Sequence, residues 1–293
     1  MLKKLKKFLL WFLGILILLL LGLNLFTNPI PEHPFYRQFD RYPLVIAHAG
    51  SELYPTDTLY ALERYADMNV DILEMDIHMT QDGVIVLLHD HTVDRTTNGT
   101  GDIREMTFSQ AQALDAGYNW TDDGETFPFR GQGITIPALE QIFQTFPGYP
   151  MIIEIKQSEP SLAKPFCDLI KEYGMEQKLI VPSFRSKAMG DFRQICPGVA
   201  TAASEDEVRD FVIRNFLFLS TTANLNYVAL QVPESRDGIP IVTRWLLWAA
   251  QRRNLQVHIW TINQPEEMLR FIDMGVDGIM TDRTDLLMDL LGR

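Results

Sequence analysis

Residues 72–78 read ILEMDIH, an apolar run that carries two carboxylates at alternate positions. Side chains along a β-strand alternate between its two faces, so Glu74 and Asp76 point to the same face. The run therefore predicts a strand that presents two acidic groups together, and both become candidates for a functional site.

The rest of the chain alternates short apolar runs of this kind with helical patterns. The strand candidates are 44–48, 72–78, 84–89, 151–155, 179–183, 199–203, 227–231, 256–261 and 278–281, and helical patterns include 58–68, 138–146, 161–173 and 266–274. This rhythm is typical of a parallel sheet. The length of the chain beyond its first thirty or so residues suits a (β/α)8 TIM barrel. Nine candidates compete for eight places, and we expect one of the two between Val199 and Gln231 to be irregular.

The N-terminus has the pattern of a membrane anchor. Four lysines, at positions 3, 4, 6 and 7, precede an apolar run over residues 8–26 that would nearly cross a hydrocarbon core of roughly 30 Å. The lysines favour a cytoplasmic N-terminus, and the absence of an Ala-x-Ala site favours an uncleaved anchor over a signal peptide. We therefore expect a single transmembrane helix within residues 1–28, a linker over 29–42, and a barrel over 43–293 on the extracytoplasmic side.

Charge and cysteine content narrow the function further. The net charge is −12, and all four lysines of the N-terminal run lie outside the barrel, which is more acidic still. Such a surface argues against a nucleic-acid partner, because binding nucleic acid relies on Lys and Arg to neutralise phosphates. Cys167 and Cys196 both lie in helical patterns, and we expect two small buried side chains rather than a disulfide.

Ionisable residues recur where the predicted strands end. His48 closes the first strand and His89 the third, while Glu154 lies on the fourth with Lys156 two positions on and on the same side. The C-terminal ends of barrel strands form the floor of the active site. One mouth would thus collect two imidazoles, an ammonium and three carboxylates.

These residue types suit phosphodiester chemistry. Crowded carboxylates acquire raised pKa values unless a cation compensates them, and all-oxygen ligation suits Mg²⁺ or Ca²⁺. Two histidines can exchange protons near neutral pH, and a cation beside a lysine can stabilise charge on a phosphodiester. His78 is as suited to a supporting role as to a catalytic one, whereas we interpret His91 and His258 as structural.

At these residues the sequence resembles the glycerophosphodiester phosphodiesterase family. Matching stretches occur in the family's order over about 240 residues, at 47–50, 73–77, 88–90, 92–101, 136–140, 153–156, 260–263 and 275–282. The resemblance implies a TIM barrel, one divalent cation, and cleavage of a glycerophosphodiester to glycerol 3-phosphate and an alcohol, directly or through a cyclic phosphate. It implies His48 and His89 as the acid–base pair and Lys156 as a phosphate contact. The implied metal ligands are Glu74, Asp76 and Glu154.

The chain departs from the family pattern at two positions. Ala49 replaces an arginine that usually follows the first histidine. Thr56 replaces the glutamate of a Pro-Glu-Asn-Thr motif, which is a metal ligand in the family pattern. A lost arginine removes a bidentate phosphate contact. We expect Glu52, four residues after His48, to supply the missing carboxylate, with Asp57 as the second choice.

The substrate is less constrained than the reaction. The apolar run 211–219 could touch the acyl chain of a lysophospholipid, which would make the protein a lysophospholipase D. We favour the alternative, that this run is the buried face of a helix, and that deacylated diesters such as glycerophosphocholine are the substrates. Two rivals stay open: a non-catalytic barrel that still binds metal or ligand, and a barrel enzyme acting on a phosphoinositide or sphingolipid.

Overall fold

The computed structural model describes residues 2–25, 27–49 and 52–293. Phe26, at the end of the apolar run, and Gly50, in the matching stretch 47–50, lie outside these ranges. The first element is helix α1, Leu2–Leu25. Within the described ranges no helix is both long enough and apolar enough to cross a membrane, so the expected transmembrane anchor is not supported.

Of the eleven strands in the described ranges, eight are parallel and form a closed barrel. In chain order the strands are β1 Leu44–Ala47, β2 Ile72–Met79, β3 Ile85–Leu87, β4 Met151–Ile155, β5 Leu179–Val181, β6 Ala200–Thr201, β7 Ala229–Pro233, β8 Ser235–Arg236, β9 Ile239–Pro240, β10 Gln256–Trp260 and β11 Gly278–Thr281. The sheet runs β6-β5-β4-β2-β1-β11-β10-β7. A parallel bridge between Ala202 and Ala229 joins its two edges. The predicted (β/α)8 barrel is therefore confirmed.

The ninth strand candidate is β3, which lies outside the barrel order. It pairs with β2 in antiparallel fashion, with Ile77 opposite Leu87. The link between them is a tight turn in which the Thr80 amide donates to the Val84 carbonyl and Gly83 takes a φ of 86°. A parallel partner needs a crossover of a dozen or more residues. The link between β2 and β3 is much shorter, and it therefore forces the antiparallel arrangement. Our expectation that a segment between Val199 and Gln231 is irregular was wrong, because β6 and β7 are both barrel strands.

Helices fill the crossovers and surround the barrel. They are α2 Leu59–Asp67, α3 Phe108–Gln112, α4 Leu139–Thr145, α5 Ala163–Glu172, α6 Ser186–Ile195, α7 Glu205–Phe216, α8 Arg244–Gln251, α9 Pro265–Met274 and α10 Thr284–Leu291. Local signals mark their ends: the Thr58 side chain accepts from the Ala61 amide at the start of α2, and Gly275 ends α9 with a φ of 80°. The four predicted helical patterns are confirmed to within two residues.

The barrel interior is apolar at its N-terminal end and polar at the other. Inward-facing aliphatic residues, among them Ile46, Ile72 and Ile152, pack against Phe35 and Tyr36, which precede the barrel and are almost fully buried. Because inward positions recur every second residue, each strand places its next inward side chain one layer higher. Those higher positions carry Glu74 on β2, Glu154 on β4 and His48 directly after β1.

The two cysteines form a disulfide, contrary to our expectation. Cys167 on α5 and Cys196 just after α6 are bonded, with Cα atoms 5.5 Å apart. Helices α5 and α6 are neighbours in the outer layer. Both cysteines are buried, and each is only 1% exposed. The sequence showed that both residues lie in helical regions but not that these regions pack together.

Candidate active site

A cavity of about 250 Å³ opens at the C-terminal mouth of the barrel. Six of the seven predicted site residues line it: His48, Glu74, Asp76, His89, Glu154 and Lys156. Strand register explains part of this convergence, because Asp76 on β2 lies directly opposite Glu154 on β4. Glu52, the exception, is exposed above the mouth.

Each of the two histidines is held at Nδ1 by an aspartate. His48 Nδ1 is 2.9 Å from Asp282 Oδ1, and His89 Nδ1 is 2.7 Å from Asp90 Oδ1. Arg95 in turn donates to Asp90 through Nε at 2.6 Å. A partner at one ring nitrogen fixes the orientation of an imidazole and the role of the other nitrogen. Nε2 is therefore the nitrogen that each ring can present to the cavity.

The surrounding carboxylates change the protonation of His48. Burial alone would lower the pKa of this imidazole. The hydrogen bond to Asp282 and the negative charges of Glu74 and Asp76 outweigh burial and raise the pKa to about 9. The surrounding carboxylates thus favour the protonated form of the His48 imidazole.

The carboxylates are buried close to one another and to Lys156. The Lys156 ammonium lies 3.1 Å from Asp76 Oδ1 and 3.0 Å from Glu154 Oε2. Burial, followed by the charge of Asp76, nevertheless raises the pKa of Glu154 to about 7. The same two causes raise the pKa of Glu74 well above its usual value. Lys156 therefore does not balance the negative charge at this mouth.

Asp57 adds a further buried carboxylate beside this group. Its side chain is 2% exposed, and its Oδ1 accepts from the Asp76 amide at 3.1 Å. Glu52 is placed differently: its Oε1 accepts from Asn263 Nδ2 at 2.8 Å, and the same amide group donates to Asp282 Oδ2. Glu52 therefore belongs to a hydrogen-bonded network at the rim, on the side of His48.

The donor chemistry of the mouth fits a hard divalent cation. Within the described ranges, Asp57 Oδ2 and both carboxylate oxygens of Asp76 are buried and have no hydrogen-bond donor, although Lys156 lies close to one of them. Buried carboxylate oxygens without donors are costly unless a cation compensates them. Across the same ranges, however, no three His, Cys, Asp or Glu side chains are already arranged as a metal site. The residues thus supply suitable ligands without forming a complete shell.

Comparison with known proteins identifies the family. The model of the glycerophosphoryl diester phosphodiesterase family matches residues 48–286. The chain belongs to this family. A glycerophosphodiester phosphodiesterase of Caldanaerobacter subterraneus subsp. tengcongensis is 30% identical over 258 residues, which cover 85% of this chain and 97% of that protein. The putative glycerophosphodiester phosphodiesterase YhdW of Bacillus subtilis is 31% identical over 247 residues, 83% of this chain and 96% of its own.

Solved structures show the same fold. A phosphodiesterase from Oleispira antarctica, determined in complex with the product sn-glycerol-3-phosphate, matches 86% of this chain and 97% of its own at a TM-score of 0.66 and 22% identity. The protein described here is accordingly an enzyme, a phosphoric diester hydrolase of the glycerophosphodiester phosphodiesterase family.

Several site residues of this enzyme escaped the sequence analysis. Asp90 and Asp282, which hold the two histidines, lie inside matching stretches but were assigned no role, because only the fold shows which aspartate meets which imidazole. An apolar wall was also missed, in which Phe184 packs edge-on against Trp260 with ring centroids 5.6 Å apart.

His78 is buried, and its Nε2 lies 3.4 Å from the His89 carbonyl, a position that suits a supporting role.

Proposed function

We propose that this enzyme hydrolyses glycerophosphodiesters to sn-glycerol 3-phosphate and an alcohol, with one divalent cation and with His48 and His89 as the acid–base pair. The observation that carries this proposal is the pair of imidazoles, each fixed at Nδ1 by an aspartate, in a single cavity with buried carboxylates and Lys156. In the net reaction water adds to phosphorus and the phosphorus–oxygen bond to the alcohol breaks. One imidazole accepts the proton of the nucleophile while the other protonates the departing alcohol.

The carboxylates are proposed to hold the cation, either Mg²⁺ or Ca²⁺. Glu74, Asp76 and Glu154 would supply its ligands, and Lys156 would contact a phosphate oxygen. The bound cation would stabilise negative charge that develops on the phosphoryl oxygens. The burial of Asp57 beside Asp76 supports this residue, our second choice from the sequence, over Glu52 as the fourth carboxylate.

Metal-dependent turnover tests the main proposal. We expect the enzyme to release glycerol 3-phosphate from glycerophosphocholine and glycerophosphoethanolamine. This release should stop when a chelator is added and resume when Mg²⁺ or Ca²⁺ is returned. His48→Ala and His89→Ala should each lower kcat by roughly 10²- to 10⁴-fold. His91→Ala, an exposed histidine near His89, is the matched control. Cation binding without hydrolysis of either diester would contradict the proposed reaction.

Calorimetric titration with each cation tests the fourth carboxylate. We expect Asp57→Asn to weaken binding, since it removes a charge beside Asp76, whereas Glu52→Ala should leave the affinity near normal. The reverse result would restore Glu52 as the ligand.

We also propose that the enzyme is attached to a membrane through its N-terminal segment, with the barrel on the extracytoplasmic side. The lysines and the apolar run of residues 8–26 support attachment. The disulfide between Cys167 and Cys196 supports an oxidising compartment. Cell fractionation, with protease added to intact and to permeabilised cells, tests both points. A barrel that is cut only after permeabilisation of the inner membrane would contradict the proposed side.

A further inference from the structure

A second cavity of about 290 Å³ lies beside the catalytic cavity. The two share three lining residues, Phe184, Ala203 and Gln231. The two cavities therefore adjoin, and a ligand that extends past these side chains would reach from one into the other.

The walls of this second cavity, the α7 groove, are apolar. Helix α7 contributes Val208 and Val212, one turn apart on the same face, and Ile213 beside them. Pro233 and Ile241, on either side of the β8–β9 hairpin, form the facing wall. The lining thus resembles the interior of a lipid site rather than a site for a polar alcohol.

Charged groups of the α7 groove are paired at its rim. Glu205 Oε1 lies 2.8 Å from the Arg236 guanidinium and 3.4 Å from that of Arg209. These three side chains therefore satisfy one another at the surface, and the groove keeps an apolar interior. A charged ligand group would have to displace such a pair, whereas a hydrocarbon chain would not.

The α7 groove ends on an exposed apolar surface. Ile213 lines the groove and is 51% exposed, and Phe216, Leu217 and Phe218 continue from it at 50 to 57% exposure. Our interpretation of the run 211–219 as a buried helix face was therefore wrong for these residues, although Phe211 is fully buried. Clustered apolar side chains at a surface indicate an interaction site. A deacylated diester has no apolar part that could use it.

We infer that the α7 groove receives the single acyl chain of a lysophospholipid whose phosphate lies among the catalytic residues. This inference rests on the function proposed above and names its substrate class. Water adds to phosphorus, the phosphorus–oxygen bond to the head-group alcohol breaks, and the alcohol leaves with a proton. The products are a lysophosphatidate and the free alcohol, as in a lysophospholipase D. The groove volume lies near the lower end for ligand pockets, which suits one chain rather than two.

Choline release provides a common readout for acylated and deacylated substrates. We expect kcat/KM for short-chain lysophosphatidylcholines, kept below their micellar concentration, to rise roughly two- to fourfold with each added methylene until the groove is full. Ile213→Glu, which places a charge in the groove, should lower this value at least tenfold while glycerophosphocholine turnover stays within twofold. Leu269→Glu is the matched control, because Leu269 is also 51% exposed but lies on α9.

Val212→Trp, which fills the α7 groove instead of charging it, should produce the same selective loss. An equal loss on both substrates, or a wild-type enzyme that cleaves glycerophosphocholine but no lysophosphatidylcholine, would overturn the acyl-chain assignment and leave the proposed function intact. Failure of the wild type to release choline from either substrate would overturn the proposed function itself.

Discussion

At the scale of single residues, the active site depends on pairs of side chains that orient each other. Asp282 holds His48 at Nδ1 and is itself held by Asn263, whose side-chain oxygen also accepts from the Asp282 amide at 3.0 Å. Asp90 holds His89 and is held by Arg95. Each imidazole is thus oriented before substrate arrives, which lowers the reorganisation needed during proton transfer.

We predict that Asp282→Asn will lower kcat by roughly 10²- to 10⁴-fold with little change in KM. The asparagine amide can donate N–H to Nδ1 of His48. This contact stabilises the neutral tautomer with its proton on Nε2, and in that tautomer Nε2 cannot accept a proton. Steady-state kinetics on glycerophosphocholine measure the effect. Asp289→Asn, at an exposed carboxylate on α10, serves as the control. A kcat within threefold of wild type would show that Asp282 does not position His48.

His258 provides a prediction about stability rather than catalysis. It is fully buried, with Nε2 3.3 Å from the Tyr36 hydroxyl, and burial lowers its pKa from 6.5 to about 3. The unfolded chain takes up this proton below about pH 6.5 and the folded protein does not, so stability is lost as the pH falls through that window.

Between pH 7 and pH 5, we expect the free energy of unfolding of the wild type to fall by about 2 kcal/mol more than that of His258→Gln. Urea denaturation of both proteins at the two pH values measures this difference. Equal pH slopes would mean that His258 can become protonated inside the barrel.

At the scale of elements, the outer helices are held by contacts that join neighbours around the barrel. The disulfide between α5 and the end of α6 closes a loop with a sequence separation of 29 residues. The barrel strands β5 and β6 below these helices are short, at three and two residues. The covalent link therefore stabilises a sector in which the sheet hydrogen bonding is sparse.

Reduction of the disulfide should lower the free energy of unfolding by about 3–4 kcal/mol, mainly because the unfolded chain gains freedom. Guanidinium denaturation with and without reductant measures the loss. The double variant Cys167→Ala/Cys196→Ala should be destabilised similarly and should not respond to reductant. Activity under native conditions should persist, because neither cysteine lines the catalytic cavity. Unchanged stability on complete reduction would contradict this role.

At the scale of the whole molecule, the segment that precedes the barrel is tied to its last third. The buried Arg253 guanidinium donates to the carbonyls of Asn28, Ser220 and Ala223 at 2.7 to 3.1 Å. The Ile30 amide also donates to the Arg253 carbonyl. One side chain thus ties the segment at Asn28, 225 residues away in sequence, to the segment at Ser220 and Ala223.

We predict that Arg253→Met will destabilise the enzyme by about 3–5 kcal/mol, because three carbonyls lose a charged donor together. The neighbouring Arg252→Met is the matched control, since Arg252 stacks on Trp248 at the surface, and it should cost less than about 1 kcal/mol. Thermal unfolding followed by circular dichroism compares the two. Similar losses in both variants would show that the buried hydrogen bonds of Arg253 contribute little.

The sequence alone determined the element types and most of the candidate site. Alternation and helical periodicity are local properties, so the strands and helices were predicted within a few residues. The inward positions of Glu74, Asp76 and Glu154 follow from the two-residue repeat of a strand. The convergence of these residues with His48 followed from the barrel, because the C-terminal ends of parallel strands meet at one mouth. His89 reaches the same mouth by another route, since it follows β3, which is antiparallel to β2 and lies outside the barrel.

Only the tertiary structure decided which of the nine strand candidates stands outside the barrel, that Cys167 meets Cys196, and that Asp57 rather than Glu52 lies beside Asp76. It also placed the α7 groove beside the catalytic cavity, with Phe184, Ala203 and Gln231 lining both. Each of these features depends on side chains that are distant in sequence and are brought together by helix and strand packing. Local patterns carry no information about such distances, because the packing of the closed barrel sets them.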